Sequence, residues 1–154
     1  MSGKVERIYV ADNRRETVTR IETAKLESGK GIVGDRYHSR SVQSRTTGSV
    51  PPINNISLIA GEELDAFLGR NDAEIDYGDF RRNIITRGVD LNSLVGKQFS
   101  LGTALCVGTE LCEPCAFLAA TVHRAVLAEL LHKAGLRAVI IEDGEVEAGG
   151  EIRF

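Results

Sequence analysis

The sequence predicts a mixed α+β fold that is mainly β, a barrel-like assembly of strands with a few helices. Three observations predict it. Sixteen glycines divide the 154 residues into many short segments, as strand-and-turn folds require. Several of those segments alternate apolar and polar residues with period two, while helical spacing is confined to two stretches. The order of elements also lacks the regular strand–helix alternation of a doubly wound parallel sheet. Length and a hydrophobic content of 42% suit one domain, residues 1–154, with a sizeable core.

Each element follows from local pattern. "GKVERIYVAD" alternates through Val5, Ile8 and Val10 and predicts a first strand. "ETVTRIETAKLE" sets Val18, Ile21 and Leu26 among charges and predicts the next, before "GKGIVGDRYH" opens a glycine-rich turn. Ser39–Pro52, "SRSVQSRTTGSVPP", is polar, small and basic and ends in two prolines. That composition predicts a mobile loop, carrying Arg40 and Arg45, that closes over an anionic ligand. "INNISLI" resumes as a strand. "AGEELDAFLGR" follows as an amphipathic helix, with Leu64, Phe67 and Leu68 on one face, acids in its first turn and Gly69 at its end. "RRNIITRG", "KQFSLG" and "ALCVGTEL" predict three further strands. A longer helical pattern runs through Val122, Val126, Leu127, Leu130, Leu131 and Ala134 and stops in "HKAG". "RAVIIEDGEVEAGGEIRF" then predicts two strands around an "EDGE" turn.

Composition narrows the function. Nineteen Lys and Arg against 22 Asp and Glu leave a net charge of −3, without the basic excess of a nucleic-acid binder. Tryptophan is absent and other aromatics are few, so no base-stacking platform is expected. No apolar run approaches the roughly 18 residues of a membrane span, and the N-terminus has no signal-like apolar region. Three cysteines cannot all pair within one chain, which points to a reducing, cytoplasmic setting.

Two of the cysteines form "LCEPCAFL". A closed zinc site needs four ligands, and this motif offers two. His123 and His132 stand nine residues apart on one expected helix, about 180° around it, and so cannot share a metal. A thioredoxin-like dithiol calls for a βαβ setting and a later cis-proline, and no proline follows Pro114. Cys106, inside the apolar "ALCVG", reads as a core thiol. Cys112 could be a core thiol or a supporting partner. Cys115, between a strand and the late helix, stands where a nucleophile or a soft metal ligand would be presented.

A second group of residues suits an anion. "GDRYH" combines Asp35, Arg36 and His38, and "FRRNIITRG" contributes Arg81, Arg82, Asn83, Thr86 and Arg87. On a strand Arg81 and Asn83 would share one face, offering a guanidinium fork and an amide to an oxyanion. The same residues equally describe a solvated strand edge, and Asp35 with Arg36 a turn-stabilising ion pair.

The blocks "GIVGDRYH", "ISLIAGEELDAF", "RRNIITRGVDLNSLVGKQFSLG", "GTELCEPCAFL" and "KAGLRAVIIEDGEVEAGGEI" follow one another in the order seen in MOSC domains. The chain resembles the small stand-alone bacterial type of that family over roughly Gly31 to Ile152. The resemblance implies a barrel of the MOSC, pyruvate-kinase-like kind, with Cys115 as the catalytic residue and molybdenum ligand. It implies a pterin pocket at Arg36 of the "GDR" turn and at Arg81 and Asn83 of an R-x-N segment; Arg82, Thr86 and Cys112 are further candidates for the same pocket. The pocket would lie between the "GDRYH" turn, the "RRNIIT" strand and the start of the late helix. It further implies binding of the molybdenum cofactor (molybdopterin) and reduction of N-hydroxylated or N-oxide compounds, with electrons from a separate protein. Two alternatives stand beside this reading: a persulfide carrier on Cys115 that takes sulfur from a donor protein and delivers it to metal centres, and a non-catalytic cofactor-binding module. Pyridoxal phosphate is not assigned, because none of the five lysines has a Schiff-base setting.

Overall fold

The computed structural model describes residues 1–12, 17–48, 54–71, 75–113, 125 and 129–154. The predicted class holds: strands dominate, and seven of them close a barrel. These are β1 (Ser2–Val10), β5 (Ile56–Ala60), β6 (Ile84–Arg87), β7 (Gln98–Leu101), β8 (Ala104–Leu111), β9 (Leu136–Glu142) and β11 (Glu151–Arg153). Around the barrel the order is β1, β11, β7, β8, β9, β5, β6 and back to β1. The closing pairs join the two ends of the described chain, with Ser2 opposite Arg153 and Lys4 opposite Glu151. Strand β2 (Thr19–Ile21) extends the sheet beyond β1, and β3 (Thr23–Glu27), β4 (Gly31–Ile32) and β10 (Gly144–Glu147) form a second, smaller sheet.

Alternation sorts the side chains into two cores. Val5, Ile8, Leu58, Ile84, Phe99, Leu101, Cys106 and Ile140 fill the barrel, and Ala24, Leu26, Ile32 and Val146 of the smaller sheet pack against them. Outside the barrel, Ile59 and Ile85 meet Leu64, Phe67, Phe80, Leu130 and Ala134. Neighbouring residues of β5 and β6 therefore enter different cores. Burial on both faces explains why Ile56–Ile59 and Asn83–Thr86 are buried without the alternation of a one-sided strand. These two strands are parallel, Leu58 opposite Ile84, and α2 (Gly61–Asn71) makes the crossover between them. This βαβ unit sits in a sheet whose other described strand pairings are antiparallel, short of the alternation of a doubly wound sheet. Helix α2 runs two residues past Gly69, and Phe67 meets the Phe80 ring edge-on at 5.7 Å.

Three local expectations are corrected. Ser39–Pro52 is not a loop through most of its length. Helix α1 (Arg36–Thr47) occupies it and ends at Gly48 in the left-handed region, while residues 49–53 lie outside the described residues. Its buried side chains are Arg36, Ser41 and Ser44, so no apolar stripe announces it. Asp35 caps it by accepting from the Tyr37 amide at 3.3 Å. The stretch "ETVTRIETAKLE" is broken at Glu22 into β2 and β3, which join different sheets. The C-terminal stretch forms three strands rather than a hairpin. β9 stays in the barrel, β10 pairs with β3 and β11 pairs with β7 and β1. Of the late helical pattern, residues 114–124 and 126–128 lie outside the described residues. Leu130 and Ala134 are buried, but Leu131 is exposed and residues 130–134 form bends and turns where the pattern predicts helix.

Candidate functional site

The candidate side chains lie near one rim of the barrel, where β1 and β8 end and β5, β6 and β9 begin. Arg36 opens α1 and is almost fully buried. Its Nη1 lies 2.9 Å from Asp35 Oδ1, its Nη2 donates to the Arg81 carbonyl at 3.1 Å, and its guanidinium sits 4.8 Å from the Tyr37 ring centre. Asp35, with no exposed surface, also accepts from the Ala11 amide at 3.0 Å. The ion pair expected of this turn therefore exists. It also anchors the backbone of the "RRN" segment.

Arg81, Arg82 and Asn83 precede β6 rather than lying on it, so strand alternation does not govern them. Arg81 ends the 3-10 turn Tyr77–Phe80 with φ 63°, a left-handed conformation that turns the chain sharply before the strand. It is half-buried. Burial lowers the pKa of its guanidinium, and the positive charges of Arg36 and then Arg82 push the same way, outweighing the opposing influence of Tyr37 and Asp35. Arg82 turns toward the outer core, with Nε donating to the Ala134 carbonyl at 2.9 Å and Nη1 to the Phe80 carbonyl at 3.2 Å. Asn83 is wholly buried: Oδ1 accepts from the Ser57 amide at 3.1 Å and from Ser57 Oγ at 3.3 Å, and Nδ2 donates to the Tyr9 carbonyl at 3.0 Å. Thr86, equally buried on β6, reaches the Ile59 carbonyl. Among the candidates Arg36 and Arg81 thus converge, while Arg82, Asn83 and Thr86 brace the backbone around them. His38 lies apart, 2.5 Å from Glu27.

Cys112 follows β8 and is buried, its amide donating to the Gly135 carbonyl at 2.8 Å. Its side chain lies near the guanidinium of Arg137 on β9, whose Nη1 is 3.4 Å from Glu110 Oε1. Burial there disfavours the arginine charge, but its neighbours Cys112, Tyr37 and Glu110 more than offset this and raise the pKa. Tyr37 lies within electrostatic range of both Arg81 and Arg137. Sequence reading missed Arg137. Its place near Cys112 depends on the register of β8 and β9, with Leu111 opposite Leu136, which no local pattern encodes. Cys115 lies outside the described residues. Cys106 is sealed in the barrel, and burial pushes its thiol pKa up to about 12, as expected of a core cysteine.

Among the described residues no three His, Cys, Asp or Glu side chains converge to hold a metal. A cleft of about 190 Å³ is lined by residues including Glu62, Glu63, Asp90, Asn92 and His132, and none of the candidate side chains lines it. No helix among the described residues is long and apolar enough to cross a membrane.

A family model described as MOSC domain matches residues 46–153. Among solved structures, the YuaD protein from Bacillus subtilis is similar with a TM-score of 0.81 at 20% identity, over 99% of this chain and 94% of that one. YiiM from Geobacillus stearothermophilus is similar at 0.74 and 15% identity, over 98% of this chain and 74% of that one. YiiM from Escherichia coli gives 0.71 and 17%, over 99% and 69%. At such identities the likeness is one of fold. No curated protein matches the chain.

Proposed function

The chain belongs to the MOSC domain family, and from that premise we propose that it binds the molybdenum cofactor and reduces N-hydroxylated or N-oxide compounds. Electrons would come from a separate donor protein. One observation supports the binding step: Arg36, packed on the Tyr37 ring, holds the Arg81 carbonyl at 3.1 Å, and Tyr37 is within electrostatic reach of both Arg81 and Arg137. The residues fit a phosphorylated pterin. Positive charge at Arg81 is disfavoured by burial and by its arginine neighbours, and a dianion placed against it removes that penalty.

Arg36 is the rigid member of the set, held by buried Asp35 and by the Arg81 carbonyl, so it orients Arg81 as well as adding charge. Arg81 and Arg137 supply the donors that reach an anion, and Asn83 and Arg82 keep the segment in place from beneath. Cys115 is the soft ligand assigned by family resemblance, as a thiolate suits molybdenum. Three peptide steps of about 3.8 Å keep its Cα within roughly 11 Å of that of Cys112. When bound, the cofactor supplies a metal centre that accepts oxygen and changes oxidation state.

The test is purification from a host that makes the cofactor, with molybdenum and pterin measured per chain. Stoichiometric loading is expected, and turnover of a hydroxylamino-purine with an artificial reductant should follow. A hydrogen bond to a charged group contributes about 1.5–3 kcal/mol. Arg81→Ala or Arg137→Ala should therefore weaken loading roughly 10- to 100-fold while melting near wild type. Cys115→Ser should lose the metal. Chains that never load, or that carry an extra sulfur on Cys115 and no pterin, would refute the reading, the latter in favour of sulfur carriage.

A further inference from the structure

Arg81 holds a backbone conformation that is unfavourable for a residue with a side chain. Among the described residues only Arg81 and His132, glycines apart, have positive φ, and at Arg81 φ is 63°. The left-handed region crowds Cβ against the backbone, so such a turn persists only where its surroundings over-determine it. Here both peptide planes that meet at Arg81 are fastened. The plane before it is held at each end: the Arg81 amide donates to the Gly78 carbonyl at 3.0 Å, and the Phe80 carbonyl accepts from Arg82 Nη1 at 3.2 Å. The plane after it is held through the Arg81 carbonyl, which accepts from Arg36 Nη2 at 3.1 Å. With both planes fixed, φ and ψ of the residue between them are fixed as well.

Arg82 is the less expected of the two clamps. It is almost fully buried, and among the described residues its partners are the Phe80 and Ala134 carbonyls and no carboxylate. Neutral acceptors compensate a buried charge only in part. What the guanidinium adds is a planar fork, whose Nε reaches Ala134, two residues before β9, while Nη1 reaches the turn at Phe80. Burial, and after it the charges of Arg36 and Arg82, also disfavour a third cation at Arg81. Backbone strain and like-charge crowding at one residue share a purpose when that residue meets an anion. We propose that Arg82 is a positioning residue that, with Arg36, holds Arg81 in its left-handed turn, so that the Arg81 guanidinium meets a phosphate dianion already oriented. The inference rests on the reading of Arg81 as an anion-binding arginine.

Calorimetric titration of the cofactor-free protein with inorganic pyrophosphate tests it. Arg82→Lys keeps the charge but has no fork to span two carbonyls, and should weaken binding about 10-fold. In an Arg81→Gly background the same change should have no further effect, because Arg82 acts through Arg81. Equal loss in both backgrounds would make Arg82 a direct anion ligand and overturns the proposal, as does wild-type affinity in a folded Arg82→Lys protein. The strain has its own readout. Arg81→Gly and Arg81→Ala both remove the side chain, but only glycine is at ease at positive φ, so Arg81→Gly should melt several degrees above Arg81→Ala. Equal melting temperatures would show no strained turn to hold and also sink the idea. Should Arg82→Lys fail to fold, Arg36→Lys in the same two backgrounds decides. Wild-type protein that binds pyrophosphate but never loads molybdenum defeats the proposed function and leaves the clamp standing. Wild-type protein that does not bind pyrophosphate overturns the clamp.

Discussion

Asn83 has the chemistry of an anion ligand and the environment of a scaffold residue. Both ends of its amide bind buried groups of β1 and β5. Asn83→Ala would strand the Ser57 amide and the Tyr9 carbonyl, and a buried unsatisfied group costs about 1–3 kcal/mol. Urea denaturation should therefore show a loss of about 2–4 kcal/mol, in contrast to the near-native melting expected of Arg81→Ala. Cys106 makes a pH prediction. Its folded pKa of about 12 stands above the ordinary 9.0, so folding favours the protonated thiol. The sign follows: its contribution is whole below pH 9 and is lost as pH rises toward 12. Cys106→Ala should flatten the alkaline fall in stability over that window, measured against wild type by chemical denaturation. At this scale the sequence was partly legible. The "GDR" and R-x-N motifs singled out Arg36 and Arg81, which do converge. Nothing in either motif could tell that Asn83 faces inward, because the segment precedes the strand whose alternation was used to orient it.

Helices show where periodicity succeeds and where it is silent. Helix α2 was read from Leu64, Phe67 and Leu68 because its buried face is apolar. Helix α1 went unread because it buries serines, with Ser41 Oγ donating to the Lys30 carbonyl at 3.4 Å and Ser44 Oγ to the Arg40 carbonyl at 2.8 Å. Small polar side chains let it lie close to β4 without a hydrophobic stripe. Its start was nonetheless written in the chain, since Asp35 is a good N-cap. Asp35 also neutralises buried Arg36, so Asp35→Ala removes a cap, about 1 kcal/mol, and leaves a buried charge alone, about 3–5 kcal/mol. A destabilisation of about 4 kcal/mol is expected, with α1 amides the first to lose hydrogen-exchange protection. Arg36→Met, which removes the charge as well, should be milder when introduced into Asp35→Ala than the sum of the two single losses.

At the level of the molecule, period-two segments and glycine punctuation announced a barrel, but not which strands would adjoin. Pairing β10 with β3, and β11 with β1, depends on contacts between residues more than a hundred positions apart, which no local pattern records. Gly135 marks one such place. With φ 112°, it brings its Cα so near β5 that a Cβ would stand 1.9 Å from the Leu58 carbonyl oxygen. The closing seam is equally specific. Ile152 is completely buried opposite Gly3 and Leu101, and Ile152→Ala should cost about 2–5 kcal/mol, read from the denaturation midpoint.

Because β1 (Ser2–Val10) is made long before its partner β11 (Glu151–Arg153), the barrel cannot shut until β11 has been synthesised. Until residue 153 clears the ribosome, one edge of β1 stands without its partner, the kind of exposed template on which misassembly begins. Closure that spans nearly the whole sequence also makes folding slow for the size of the domain. The molecule's most vulnerable moment therefore comes at birth, and its yield in a cell should respond to translation speed and to chaperones that shield the waiting strand.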